Sequence, residues 1–286
     1  AEFGAPVYVL HEIVHNTHVL NELEAMGAIF VEELEEIPKG ARAIFSAHGI
    51  ARAVEEEAIA MHLRTIDATC PLVAKVHRRI SRLHAQGCAL LVLGHKGHPE
   101  VEGTCGQVRG PVYVISAPEE VAALPICFTA KVGYVTQTTL SVDDTRDLLS
   151  AIRARFPLIE EPDRTDICYA TTNRQQAVRQ LARQCDIVLI VGSKNSSNSN
   201  RLREVAAGLD IPAYLIDHAN EIQPDWLQGK KRIGVSAGAS APEHLVAGVV
   251  TRLQAISPGK VEELNGEDEG IHFPVVKQNE NGNPLS

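Results

Sequence analysis

"DICYATTNRQQAVRQLARQCDIVLIVGSKNSSNSNR" spans Asp166 to Arg201, and the fold follows from how it is read. It reads as turn, helix, strand, turn. Cys168 sits at the mouth of the helix. "DIVLIVG" is a continuous apolar run, the kind that a parallel sheet buries on both faces. After it, seven of the eight residues from Ser193 to Asn200 are Ser or Asn. A strand that runs into such a turn, and on into a helix, presents backbone N–H groups and hydroxyls to an anion. One or two of these residues would suffice to cap a helix; seven point to an anion site. One unit therefore offers a thiolate and an oxyanion cradle.

The rest of the chain repeats this unit. Turns with Cys occur in "DATCPLVAKV" and "DICYATTNRQQAV". Turns after a long apolar strand occur in "YVLHEIVHN", "LVLGHKGHPE" and "LIVGSKNSSN". Small polar turns occur in "IFSAHG", "GYVTQTTLS" and "IGVSAGASAP". One copy runs Cys70, His98, Thr138 and the next Cys168, Asn198, Ser240, while the first shows only His15 and His48. Its Cys is expected ~28–30 residues before His15, upstream of Ala1. "AEFGAPVYVL" agrees, since it reads as a helix end leading into a strand.

Strands and helices alternate throughout, so the fold class is α/β with mainly parallel sheets. Three such units predict a pseudo-threefold arrangement around a central cavity, because ligands lie beyond the carboxyl ends of parallel strands. The expected divisions are 1–70, 71–166, 167–258 and a tail, 259–286. Pro71 marks a first helical position. Val73, Val76, Ile80 and Leu83 follow at helical spacing, and Gly87 ends that helix. The Glu-, Asn- and Gly-rich tail holds one further strand candidate, "GIHFPVV".

The 286 residues include 44% apolar and 22% charged side chains. A net charge of −9 argues against nucleic acid. No apolar run reaches membrane-spanning length, and no secretory signal is present. Six cysteines, none in a C-x-x-C pair, are too sparse for a disulfide scaffold. A reduced, cytoplasmic protein is the expectation. Neither G-x-G-x-x-G nor G-x-x-x-x-G-K-[ST] occurs, so a dinucleotide or P-loop site has no support.

Eight segments in order carry a resemblance: "HEIVHN", "FSAHG", "DATCPLV", "GHKGHPEVEGT", "TQTTLSVDDT", "DICYATTNRQ", "GSKNSSNSNRL" and "GVSAGASAPE". Together they resemble the 4-hydroxy-3-methylbut-2-enyl diphosphate reductase family of the non-mevalonate pathway. The resemblance implies a trefoil of three α/β units around a [4Fe-4S] cluster, with Cys70 and Cys168 as ligands. The family's third Cys lies in an N-terminal segment that this chain lacks, the same gap that the repeat exposes. Thiolates suit iron–sulfur clusters, and three on four irons leave one iron open as a Lewis acid. The implied reaction removes an allylic hydroxyl with two electrons and two protons, giving isopentenyl and dimethylallyl diphosphates. By the same resemblance, His15, His48, His98, Ser196, Ser197, Asn198 and Ser240 bind the diphosphate. Glu100 delivers a proton, and Thr138 bonds the substrate hydroxyl, with Thr139 adjacent. Ferredoxin or flavodoxin is the implied electron donor, and a monomer is expected.

Plainer readings stand beside these. Buried Cys is common, and Cys88, Cys105, Cys127 and Cys185 have no motif around them that asks for more. Without the resemblance, Glu100 reads as a surface acid. His11, His77, His84 and His95 remain unassigned. Two other functions compete: a non-redox iron–sulfur hydro-lyase, and a catalytically incomplete diphosphate-binding fragment. A His/Glu metallohydrolase is weaker, since no Cys pair follows H-x-E at 98–100.

Overall fold

In the computed structural model, which describes residues 6–162, 165–264, 266 and 270, the chain forms three sheets. The first holds β1 (Val7–Leu10), β2 (Ala28–Val31), β3 (Arg42–Phe45) and β4 (Arg64–Asp67) in the order β2-β1-β3-β4. The second holds β5 (Ala89–Leu93), β6 (Val112–Ile115), β7 (Val132–Thr136) and β8 (Ile159–Glu160) in the order β6-β5-β7-β8. The third holds β9 (Ile187–Val191), β10 (Ala213–Ile216) and β11 (Ile233–Ala237) in the order β10-β9-β11. Every recorded pairing is parallel. In each sheet the earliest strand lies between the next two, so the sequence repeat is a repeat of topology. The fold is α/β with three such units. The tail strand candidate "GIHFPVV" lies, apart from Gly270, outside the described residues.

Burial explains why two strands are unbroken apolar runs. Alternate strand residues face opposite sides. In β9, Ile187, Leu189 and Val191 enter one core and Val188 and Ile190 another. In β5, Leu91 and Leu93 face one core while Leu90 and Val92 face the second. Both strands are covered on both faces, so neither has a polar position to offer.

The helices are α1 (Thr17–Ala25), α2 (Arg52–Ala60), α3 (Pro71–Ala85), α4 (Pro99–Cys105), α5 (Pro118–Val121), α6 (Val142–Arg155), α7 (Tyr169–Gln184), α8 (Ser197–Ala207) and α9 (Glu243–Ile256). α3 buries Val73, Val76, Ile80 and Leu83, the stripe that its spacing predicts. Pro71 stands in its first turn, and Gly87 follows its end at φ +73°.

Small residues set how closely the first two units approach. A Cβ on Gly103 of α4 would stand 2.9 Å from the Gly49 carbonyl oxygen. Gly49 itself has φ +77°, and a Cβ there would meet His77 Cε1 at 2.5 Å. Gln107 closes the seam by donating through Nε2 to the carbonyls of Ile50 at 2.7 Å and Gly103 at 3.0 Å. Gly103→Ala therefore pushes the turn of His48 away from the helix of Glu100. The expected loss of unfolding free energy is about 1–3 kcal/mol, the scale of an overpacked interior. A urea melt measures it. A change below about 0.5 kcal/mol, the range of ordinary surface substitutions, would show that the seam yields freely.

Candidate functional site

Three imidazoles meet where strand ends of the first two units converge. His15 comes from the turn after β1, His48 from the turn after β3, and His98 caps α4 after β5. His15 and His48 stack with centroids 4.3 Å apart. His98 stands edge-on to both, at 5.6 Å from His15 and 5.7 Å from His48. Burial, helped by the neighbouring rings of His15, His98 and His11, pushes the His48 pKa down to about 3. Burial, then His15 and His95, lowers His98 to about 4. His98 Nδ1 accepts the backbone N–H of Glu100 at 3.1 Å. Its neutral ring therefore carries the proton on Nε2.

Glu100 is not a surface acid. It is 2% exposed, because the second position of α4 turns it toward the end of β7. The backbone N–H of Thr138 donates to Oε1 at 2.6 Å, and the Thr138 hydroxyl to Oε2 at 2.9 Å. Burial raises its pKa to about 7 against the pull of those two bonds. A carboxyl so placed holds its proton at neutral pH more readily than an exposed one. When it is protonated, the contact with Thr138 Oγ1 reverses. Oε2–H donates, and the threonine proton is free to point elsewhere.

The third unit brings the Ser/Asn turn, and most of that turn is engaged structurally. Ser193 Oγ bonds Asp217 at 2.5 Å and accepts the Thr17 amide at 3.1 Å. Asn200 Nδ2 donates to the carbonyls of Lys194 and Ser196. Ser196 caps α8 by accepting the Ser199 amide at 3.2 Å, and it also accepts the Ser199 hydroxyl at 3.0 Å. Its own O–H stays available. The expectation that seven polar residues make one cradle is thus too generous; several hold the turn together. Asn198 differs. It is 6% exposed, and neither Oδ1 nor Nδ2 has a hydrogen-bond partner. A buried amide without partners is costly unless a ligand completes it.

Ser197 Oγ lies 3.0 Å from Thr139 Oγ1 and 3.3 Å from Gln137 Nε2. Gln137 also donates to Thr139 Oγ1 at 2.9 Å and accepts the His95 amide at 3.0 Å. It joins the second and third units. Gln137 has no signal in the sequence beyond its place in the polar turn "TQTT". Ser240 Oγ donates to the His15 carbonyl at 3.1 Å, joining the third unit to the first. A cavity of about 210 Å³ opens between the second and third units, lined by His95, His98, Asn195, Ser197 and Arg201 among others.

Cys70 and Cys168 precede α3 and α7, and neither side chain caps its helix. Their backbones are held alike: the Cys70 amide donates to the Ala47 carbonyl and the Cys168 amide to the Thr138 carbonyl, each at 3.0 Å. Burial raises the Cys168 thiol pKa, the amides of Thr171 and Ala170 oppose this, and Cys70 adds to it. Half-buried thiols at helix N-termini are suited to thiolate ligation. They fit one side of a thiolate-held cluster. Among the described residues no group of three His, Cys, Asp or Glu stands together as a metal site. Beside Cys168, buried Asp166 lies 3.9 Å from both Lys75 and Arg79 of α3, tying the two Cys segments together. Cys88 is buried at the foot of β5, Cys127 is exposed, and Cys105 and Cys185 end helices.

A family profile described as LytB protein matches residues 1–254. The chain belongs to the LytB family. Among relatives of this LytB chain, the 4-hydroxy-3-methylbut-2-enyl diphosphate reductase of Azoarcus sp. is 55% identical over 96% of the chain and 88% of the relative. The protein of that name from Dechloromonas aromatica is 54% identical over 96% and 90%. Among solved structures, the E-1-hydroxy-2-methyl-but-2-enyl-4-diphosphate reductase of Plasmodium falciparum superposes with a TM-score of 0.86. It is 37% identical and covers 88% of this chain and 79% of its own. A second solved structure, (E)-4-hydroxy-3-methyl-but-2-enyl diphosphate reductase, gives a TM-score of 0.62 at 36% identity, covering 87% of the LytB chain and 88% of its own.

Proposed function

We propose that this chain reduces (E)-4-hydroxy-3-methylbut-2-enyl diphosphate to isopentenyl and dimethylallyl diphosphates. The observation that carries the chemistry is the buried Glu100–Thr138 pair beside three converging imidazoles. The overall reaction consumes two electrons and two protons, breaks the allylic C–O bond and forms a C–H bond, releasing water. Cys70 and Cys168 are the thiolate ligands that this chain offers to a [4Fe-4S] cluster. When bound, such a cluster supplies electrons and Lewis acidity. An external ferredoxin or flavodoxin supplies those electrons in turn.

The chain's own residues bind, orient and protonate. His48 and His98 are neutral at physiological pH, and His98 presents Nε2–H as a donor to the diphosphate. Ser196 has a free O–H, Asn198 an unpartnered amide, and Ser197 and Thr139 a shared hydroxyl pair, so all four can face phosphate oxygens. Ser240 binds there too once its hydroxyl leaves the His15 carbonyl. At the reacting end, Glu100 passes its proton to Thr138 Oγ1, and the Thr138 proton goes to the departing hydroxyl. Burial keeps this relay out of exchange with bulk water.

No helix among the described residues is long and apolar enough to cross a membrane. A cytoplasmic monomer with units at 1–70, 71–166 and 167–258 belongs to the same proposal.

The test is anaerobic turnover with and without reduced methyl viologen. Isopentenyl and dimethylallyl diphosphates are expected only with the reductant. Loss of water from the substrate without reductant would put a non-redox hydro-lyase ahead. Binding without turnover in either condition would leave a diphosphate-binding protein.

A further inference from the structure

One position on the buried stripe of α7 carries an amide where an apolar side chain would do. The stripe is Thr171, Gln175, Val178 and Ala182, at helical spacing. Gln175 is 0% exposed. A methionine would fill the same space, so packing alone does not ask for a glutamine. Taking an amide out of water is costly unless its ends are bonded. Here both ends meet the backbone of one turn. Nε2 donates to the Leu140 carbonyl at 3.0 Å, and Oε1 accepts the Val142 amide at 3.4 Å.

That turn leads from β7 to α6 and carries Thr138. α7 grips it at a second point, where the Cys168 amide donates to the Thr138 carbonyl at 3.0 Å. Cys168 and Gln175 stand about two helical turns apart, and the helix between them is a rigid spacer. Arg179 continues the seam by donating to Asp143 at 2.7 Å. That carboxylate is 51% exposed, and exposed ion pairs hold little. The buried amide is therefore the stronger fastening. What it fastens is the segment whose Thr138 amide and hydroxyl meet Glu100.

We propose that Gln175 is a positioning residue for proton transfer: it holds the turn 138–142 on α7, so that Thr138 meets Glu100 in fixed register with Cys168. Gln175 acts through Thr138 and carries no proton itself. This rests on the reading that Glu100 and Thr138 relay a proton.

Gln175→Met keeps the volume and removes both bonds. Reconstituted with its cluster and given reduced methyl viologen, it should turn over about 10–10²-fold more slowly, the cost of misplacing a reacting group by about 1 Å. Its pH profile should change as well. The Thr138 bonds hold the Glu100 carboxyl down against burial. Once they loosen, the acid keeps its proton to higher pH, and the alkaline fall in turnover moves up. A fold weakened in general would lower turnover evenly at every pH. Gln175→Glu should move the other way. Its protonated carboxyl can replace both bonds, but its carboxylate cannot donate to Leu140, so its turnover relative to wild type should fall as pH rises. Asp143→Asn, which breaks only the exposed pair, should stay within about twofold of wild type.

Hydrogen exchange reads the same fastening without turnover. The Thr138 amide should exchange about tenfold faster in Gln175→Met, the scale of one lost buried hydrogen bond. An unshifted alkaline limb in Gln175→Met overturns the inference whatever the size of the loss, and leaves the reductase reading intact. Should that variant fail to fold, a Gln175→Glu profile parallel to wild type overturns it equally. Wild type that makes no product with the reductant overturns the reductase reading itself, and exchange at Thr138 then still decides whether Gln175 holds the turn.

Discussion

Glu100→Gln lowers turnover by about 10²–10⁴-fold, the usual contribution of a positioned general acid, and leaves pyrophosphate affinity close to that of wild type. The geometry isolates the proton. A glutamine at 100 keeps an oxygen to accept the Thr138 amide, now at 2.6 Å from Oε1. Its amide nitrogen faces Thr138 Oγ1, now at 2.9 Å from Oε2, and donates there as a protonated carboxyl would. Shape, burial and both contacts survive; only the transferable proton is gone. A loss in kcat with a steady pyrophosphate affinity identifies that proton, whereas equal loss of both would mark Glu100 as a structural acid.

The pH dependence follows with a definite sign. Burial holds the folded pKa of Glu100 at about 7, above its ordinary 4.5. The protonated acid is therefore depleted as pH rises through about 7, and turnover should fall along that limb in wild type. The stability contribution has the same sense. A raised folded value favours the folded state fully below the unfolded value, and that contribution is lost as pH rises through about 7. Urea melts of wild type should weaken between about pH 4.5 and 7, and Glu100→Gln should lack that slope.

Cys168→Ser and Cys70→Ser should each abolish iron retention after anaerobic reconstitution, while Cys88→Ser and Cys127→Ser retain the wild-type iron content. Serine keeps the size and the backbone bonds, since each Cys is anchored through its amide to Ala47 or Thr138. What it removes is a soft anionic sulfur, the donor that an iron–sulfur cluster selects. Cys88 lies at the foot of β5, buried among Leu83, Leu90 and Val92. Cys127 is bonded to Thr129. The measurement is iron and acid-labile sulfide per chain, with a thermal melt to show that each variant folds. Undiminished iron in Cys168→Ser would remove that residue from the ligand set. A loss in Cys88→Ser or Cys127→Ser would mean that their reading as plain core and surface cysteines is wrong.

The residues divide by how far their roles depend on distant chain. The alternation of β9 and β5, the stripe on α3, Pro71 and the recurring turns are all local patterns. Covering a strand on both faces demands an unbroken apolar run, and burying one side of a helix demands a 3.6-residue spacing. These demands act along contiguous sequence, so the three α/β units, their parallel sheets and the matched places of Cys70 and Cys168 were legible there. The convergence of His15, His48 and His98 was partly legible, because strand ends of repeated units point toward a common centre.

Tertiary structure alone decided the rest. Glu100, two residues past His98, reads from its own surroundings as a surface acid until β7 brings Thr138 against it. Ser193 and Ser199 look like ligand donors in a polar turn, yet their hydroxyls go to Asp217 and Ser196. Glu12 lies within "HEIVHN", but its contact with Asn195 forms only when the first and third units meet. How closely the first two units meet depends on Gly49 and Gly103, where one extra carbon would not fit. A sequence by itself determines what each segment must bury, because burial is paid for locally by periodicity. It does not determine which polar groups end up opposite one another, because that depends on contacts between segments far apart in the chain.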